Sequence, residues 1–167
     1  MTANSTLSAT ASQKEIQLLV FRAANEEFAF HLTDAREIIR MSDVTLVPGV
    51  PLYVRGIMNL RGRILTVIDL AAFLGTADTA EKKQDIIVVE KGKELFGFLV
   101  ESVTGVRHIA ADDAKAMPEL ADSCVPAGYI DSAVMSNGTD DAKTVPVLLL
   151  ILSLQNMLAP LTAISRS

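Results

Sequence analysis

The chain has 167 residues, 50% of them hydrophobic, with fifteen basic against twenty acidic side chains and a formal charge of −5. This length supports one domain or two small lobes on a shared core, and the apolar content excludes intrinsic disorder over most of it. The acidic balance lacks the electrostatic footprint of a nucleic-acid binder, and a single cysteine, Cys124, excludes a disulfide framework within the chain.

Residues 1–14 are rich in Ser, Thr and Ala and lack the basic start and apolar core of a secretory signal, so they read as a flexible tail. Residues 16–21 (IQLLVF) predict a strand, Asn25-Glu26-Glu27 a turn, and residues 28–32 (FAFHL) the partner strand of a hairpin. Thr33 or Asp34 then offers an N-cap to a short helix over 35–41 (AREIIRM), with Ile38 and Ile39 facing inward. Residues 44–47 predict a small strand, ended by the turn-rich Pro48-Gly49 and Pro51. Two more strands, 57–60 and 64–68, flank a tight loop at Arg61-Gly62-Arg63, after which Asp69 caps a helix over 70–74 stopped by Gly75.

Residues 76–84 are polar and mark an approximate internal boundary within one domain spanning 15–160. Strands over 86–90 and 95–100 form a hairpin around Lys91-Gly92-Lys93-Glu94, and a short strand covers 106–109. Residues 110–121 read as a turn of helix and then a loop at Met117-Pro118-Glu119. Strands over 129–135 and 147–152 pair across an acidic loop at 136–143, and Ser153 caps a helix over 154–159, leaving 161–167 as a tail. Residues 145–164 have the length of a membrane span, but the continuous apolar run covers only 147–152 and is bounded by Pro146 and Ser153. They read instead as a buried strand followed by a helix, with no membrane insertion. An internal echo links 65–74 to 149–158: apolar strand, capping residue, short apolar helix. About ten short strands in two similar sets suit small barrels rather than a doubly wound sheet.

No nucleotide-binding glycine loop, nucleophile elbow or zinc-protease helix is present, so a catalytic reading has no motif behind it. His31 and His108 stand apart with no Cys or carboxylate at ligand spacing, and neither is placed to activate Cys124. The reading is a protein without catalysis, metal or cofactor.

The distinctive stretch is Gly56-Ile57-Met58-Asn59-Leu60-Arg61-Gly62, in which two glycines bracket a strand and Arg61 is held in a constrained loop. Further marks are Leu19-Val20-Phe21, Glu26-Glu27-Phe28, Ala35-Arg36-Glu37-Ile38, Val67-Ile68-Asp69-Leu70, the run from Val100 to Val106, and Tyr129-Ile130. In this order, over about residues 16–159, they resemble the CheW-like chemotaxis coupling proteins. The resemblance implies a mainly β fold of two intertwined five-stranded SH3-like barrels on a shared core, with a few short helices. It implies a cytoplasmic adaptor, monomeric when isolated and recruited to receptor arrays, that joins a chemoreceptor's cytoplasmic tip to a histidine kinase regulatory domain. The alternative is the same role in a non-flagellar array governing surface motility or gene regulation. Partner-binding positions are implied at Glu37, Gly56, Asn59, Arg61, Gly62 and Val106. Glu37 is expected as a polar contact on the short helix, and Val106 as a shallow apolar contact. Arg61 is expected either to pair with a receptor carboxylate or to brace its loop on local carbonyls. Two departures from the family pattern are Glu101, where Asp is more usual, and Ser153, where Asp or Asn usually precedes the last helix.

Overall fold

The structure, a computed structural model, describes residues 15–24, 26–75, 85–114, 127–140 and 143–165. Its strands in chain order are β1 (Glu15–Ala23), β2 (Glu26–His31), β3 (Glu37–Arg40), β4 (Val54–Leu60) and β5 (Arg63–Asp69). They continue with β6 (Asp85–Lys91), β7 (Glu94–Val100), β8 (Ser102–Ala110), β9 (Ile130–Asp140) and β10 (Lys143–Leu152). Among the described residues, α-helices α1 (Leu70–Phe73) and α2 (Leu154–Ser165) follow β5 and β10.

The strands form two five-stranded sheets, ordered β8-β1-β2-β10-β9 and β3-β6-β7-β5-β4. Each is built round an antiparallel hairpin, β1–β2 or β6–β7, to which a strand adds in parallel: β10 beside β2, β5 beside β7. The strand that follows each hairpin crosses to the other sheet. β3 leaves β2 to pair with β6, and β8 leaves β7 to pair with β1. The two lobes are thereby intertwined, as expected, and neither sheet belongs to one half of the sequence.

Period-two alternation gives the inner strands of each sheet two apolar faces. One face fills a separate interior for each sheet: Leu18, Val20, Ala29, Val134, Leu149 and Ile151 in the first, Met58, Leu65, Val67, Ile86, Val88, Leu95 and Leu99 in the second. The opposite faces meet in a shared core, where Phe30 of β2 lies 5.6 Å from Phe98 of β7 and 4.9 Å from Phe21 of β1. Burying an aromatic or aliphatic side chain there contributes about 1.5–3 kcal/mol before cavity terms.

The echo between 65–74 and 149–158 is structural. Asp69 Oδ1 accepts from the Ala72 amide and Ser153 Oγ from the Asn156 amide, each 3.3 Å, so both strand-to-helix corners are capped by the expected residue. The 145–164 segment is indeed a strand and a helix, and no described helix is long and apolar enough to cross a membrane.

Four local expectations are corrected. Residues 35–41 are not a helix: a single 3-10 turn (Leu32–Asp34) leads into β3. Adjacent Ile38 and Ile39 are β-branched and stiff, and pairing with β6 satisfies the backbone while sending Ile39 inward and Ile38 outward. The strand at 44–47 reduces to one bridge, Thr45 to Ile57. The acidic loop at 136–143 is mostly ladder, because β9 runs to Asp140 and β10 starts at Lys143. Helix α2 continues through the expected tail to Ser165, with Leu161 buried in the shared core. The N-terminal tail, the 76–84 boundary, the Met117-Pro118-Glu119 loop and Cys124 lie outside the described residues.

Candidate functional site

The loop between β4 and β5 is a two-residue turn in which both central residues have positive φ, 51° at Arg61 and 83° at Gly62. That is the signature of a type I′ turn, which matches the twist of paired strands. Glycine occupies this region freely, whereas a residue with a Cβ is held there at about 1–2 kcal/mol. Two contacts hold Arg61 in place. The Gly62 amide donates to Asn59 Oδ1 at 2.8 Å, and the Arg61 guanidinium donates through both terminal nitrogens to the two Glu37 oxygens at 2.8 and 2.9 Å.

The expected site residues Glu37, Asn59, Arg61 and Gly62 are therefore brought together, although 24 positions separate Glu37 from Arg61. Barrel closure explains it. Glu37 stands on β3 and Arg61 beside β4, the two ends of the second sheet's order. The Thr45–Ile57 bridge folds those ends onto each other through hydrogen bonds of 2.8 and 2.9 Å. Gly56 makes that closure possible. It has φ 143°, and a Cβ there would stand 2.2 Å from the Thr45 carbonyl oxygen and 2.5 Å from Val44. Gly56 is buried, so its contribution is to seat the neighbouring strand ends rather than to offer a surface.

Glu37 is a strand residue, 23% exposed and ion-paired, while the Arg61 side chain is 73% exposed. Within the chain the acceptor for Arg61 is thus the Glu37 carboxylate rather than a local carbonyl. A bidentate pair of this kind fixes the plane of the guanidinium and leaves its remaining donors for another acceptor.

Three further charges surround the pair, and the sequence did not single them out as site residues. Glu90 receives Arg36 through a short ion pair and Arg63 at 2.8 Å; Arg63 also donates to the Lys93 carbonyl at 3.1 Å. The Arg63 hydrogen bond holds the Glu90 carboxyl below its ordinary pKa, against an opposing effect of burial and with added help from the Arg36 and Arg63 charges. The one sequence clue was that arginines flank Gly62-adjacent positions on both sides.

Val106 lies on the other sheet, and the register shows what it corresponds to. Val106 of β8 stands opposite Leu19, which stands opposite Phe30. In the second sheet Ile38 of β3 stands opposite Ile87, which stands opposite Phe98. The two rows meet at the Phe30–Phe98 contact, and their outer ends are comparably open, Ile38 at 44% and Val106 at 46%. Val106 is a surface valine, and Ile38, beside Glu37, is its counterpart. Separate from these, Leu46 and Leu52 in the β3–β4 connection and Ile64 on β5 are exposed apolar side chains.

His31 pairs with Asp131 at 3.3 Å and His108 with Glu15 at 3.0 Å; both histidines line one cavity of about 500 Å³ with Gln17 and Thr33. Among the described residues no group of three or more His, Cys, Asp and Glu side chains is placed to hold a metal ion.

Comparison with known proteins gives consistent results. The model of the CheW-like domain matches residues 17–161. A chemotaxis protein CheW of Thermotoga maritima is 38% identical over 96 residues, covering 58% of this chain and 64% of that protein. The alignment thus spans just under two thirds of that relative's length. A probable chemotaxis protein CheW of Rhizobium etli is 31% identical over 111 residues (66% and 72%), and protein PilI of Pseudomonas aeruginosa is 32% identical over 108 residues (64% and 61%). The crystal structure of the scaffolding protein TtCheW from Thermoanaerobacter tengcongensis superposes with a TM-score of 0.69 at 24% identity, covering 84% of this chain and 86% of that one, and supports the fold.

Proposed function

The chain belongs to the CheW-like domain family, and from that premise we propose that it is a non-catalytic adaptor of a chemosensory array, coupling a chemoreceptor's cytoplasmic tip to a histidine kinase regulatory domain. The observation that carries this reading is the Arg61–Glu37 pair beside Ile38. A guanidinium is oriented by its own chain, left open to a second acceptor, and flanked by an apolar residue with a counterpart at Val106. A receptor tip is a helical hairpin, and such a hairpin offers apolar side chains at helical spacing together with carboxylates. In this reading Ile38 and Val106 meet the apolar side chains while Arg61 takes a carboxylate. Asn59 and Gly62 shape the turn, Glu37 aims Arg61, and Gly56 keeps the strand ends together.

An adaptor needs a second surface, and Leu46, Leu52 and Ile64 supply it for the kinase domain. Weak contacts at both surfaces become effective in an array through avidity. In this reading the protein works in the cytoplasm at membrane-associated receptors. The similarity to PilI supports a second reading of the same class, an adaptor in an array with non-flagellar output.

The test is titration calorimetry of the purified chain against a receptor-tip fragment and, separately, a kinase regulatory domain. Binding to both, with loss of only the receptor fragment in Arg61→Ala, is the expected result. Binding to neither overturns the coupling role.

A further inference from the structure

Glu90 forms no hydrogen bond or ion pair with either member of the Arg61–Glu37 pair, yet it holds the chain on both sides of it. Arg36, which contacts one Glu90 oxygen, immediately precedes Glu37; Arg63, which contacts the other, follows the Arg61-Gly62 turn. The Arg36 amide also donates to the Val88 carbonyl at 2.7 Å, and Val88 is the register partner of Glu37. Alternation along β6 puts Val88 and Glu90 on the same face of the sheet, so Glu37 and Glu90 are neighbouring carboxylates. Arg36, Arg61 and Arg63 are shared between them in a fixed division: two to Glu90 and one to Glu37.

We propose that Glu90 is the positioning residue of the Arg61–Glu37 pair: by engaging Arg36 and Arg63 it keeps Glu37 for Arg61 alone and so sets the direction in which Arg61 faces a partner. The partner half of this statement rests on the reading of Arg61 as the docking point; the intramolecular half does not. With Glu90 neutralised, two arginines lose their carboxylate, and Glu37 becomes the acidic group on that face for which all three compete. The Arg61 guanidinium then loses its bidentate partner for part of the time. The lowered pKa of Glu90 agrees with a carboxylate that stays charged in this role.

The test uses the full chain labelled with 15N and 13C. The signals read are the Arg61 side-chain Nε–H and the Glu37 carboxyl carbon, in wild type and in Glu90→Gln, Arg63→Gln and Glu37→Gln. Glu37→Gln fixes where the Arg61 signal falls when the pair is absent. The expected result is that Glu90→Gln moves the Arg61 signal at least halfway to that position while the amides of β1, β2 and β7 stay in place, and that Arg63→Gln moves it in the same direction. An Arg61 signal unmoved by Glu90→Gln overturns the proposal; should that variant not fold, an unmoved signal in Arg63→Gln does so. Affinity for the receptor-tip fragment is expected to fall about tenfold in Glu90→Gln, and not to fall further when Glu90→Gln is added to Arg61→Ala. If Arg61→Ala leaves that affinity unchanged, the docking reading fails, while the Arg61 signal still decides the role of Glu90.

Discussion

The two sheets repeat one plan and carry different chemistry. Aligning the hairpins by their turns, Lys91–Glu94 in one and Ala23–Glu26 in the other, puts Ile87 at the place of Leu19, Phe98 at that of Phe30 and Ile38 at that of Val106. The polar positions do not follow. Where the second sheet has Glu37 the first has Gly105, and where the second has Glu90 the first has Arg22. The first sheet's polar pairs include His31–Asp131, His108–Glu15 and Arg107–Glu27, which join different residues at different places on the sheet. A repeated core therefore does not imply a repeated site. The apolar rows are alike because both serve the same core, and the charged mouth is specific to the sheet that closes over Gly56.

The largest expected effect falls on what the two sheets share. Phe30→Ala removes a ring that touches Phe21 and Phe98, and is expected to cost about 3–5 kcal/mol, with both sheets melting in one transition by calorimetry. Two separate transitions would break the idea of a common core.

Glycines sharpen the contrast next. Gly56→Ala forces a Cβ to 2.2 Å from the Thr45 carbonyl oxygen, and is expected to cost about 1–3 kcal/mol or more in overpacking, in addition to strain at φ 143°. Gly105→Ala has a similar φ of 148° but meets nothing within 4 Å, so its loss in chemical denaturation is expected to be smaller. Equal losses would mean that closure at Thr45 contributes little.

Arg61→Ala is expected to leave stability within about 1 kcal/mol, since an exposed ion pair contributes little, while removing receptor-fragment binding. Ile38→Asp and Val106→Asp are each expected to weaken that binding while shifting stability by only about 0.5 kcal/mol, as surface changes do. If only one of them acts, the equivalence of the two rows is geometric and not functional.

The smallest effect is a titration. Because Glu90 is held below its ordinary pKa when folded, its stabilising contribution is full above the unfolded value and fades as pH falls through the folded one. Its carboxyl 13C signal should shift at a lower pH than that of an exposed glutamate in the same spectrum.

How far the sequence could be read follows from the range of each interaction. Hairpins, the two helix caps and the Asn59–Gly62 turn are local, and their residue types suffice to place them. β3 was not legible, because Asp34 followed by alternating charge and Ile38-Ile39 looks like a capped helix until a strand almost fifty positions away pairs with it. The polar stretch from 136 looked like a loop because Gly138 and Asn137 are turn residues, yet a partner strand holds them in a ladder. For the site, the family resemblance marked Glu37 and Arg61 singly, but their pairing depends on barrel closure. Glu90 carried no local pattern at all, since its significance comes from Arg36, just ahead of β3, and Arg63, on β5, converging on it.

The coupling role is tested most directly by mapping where a receptor-tip hairpin lands on the 15N-labelled chain. The expected result is shifted amides at Glu37, Ile38, Arg61 and Gly62 and a second set around Val106 on the other sheet, lost in Arg61→Ala. Shifts confined to the His31–His108 cavity, or no shifts at saturating fragment, would contradict it.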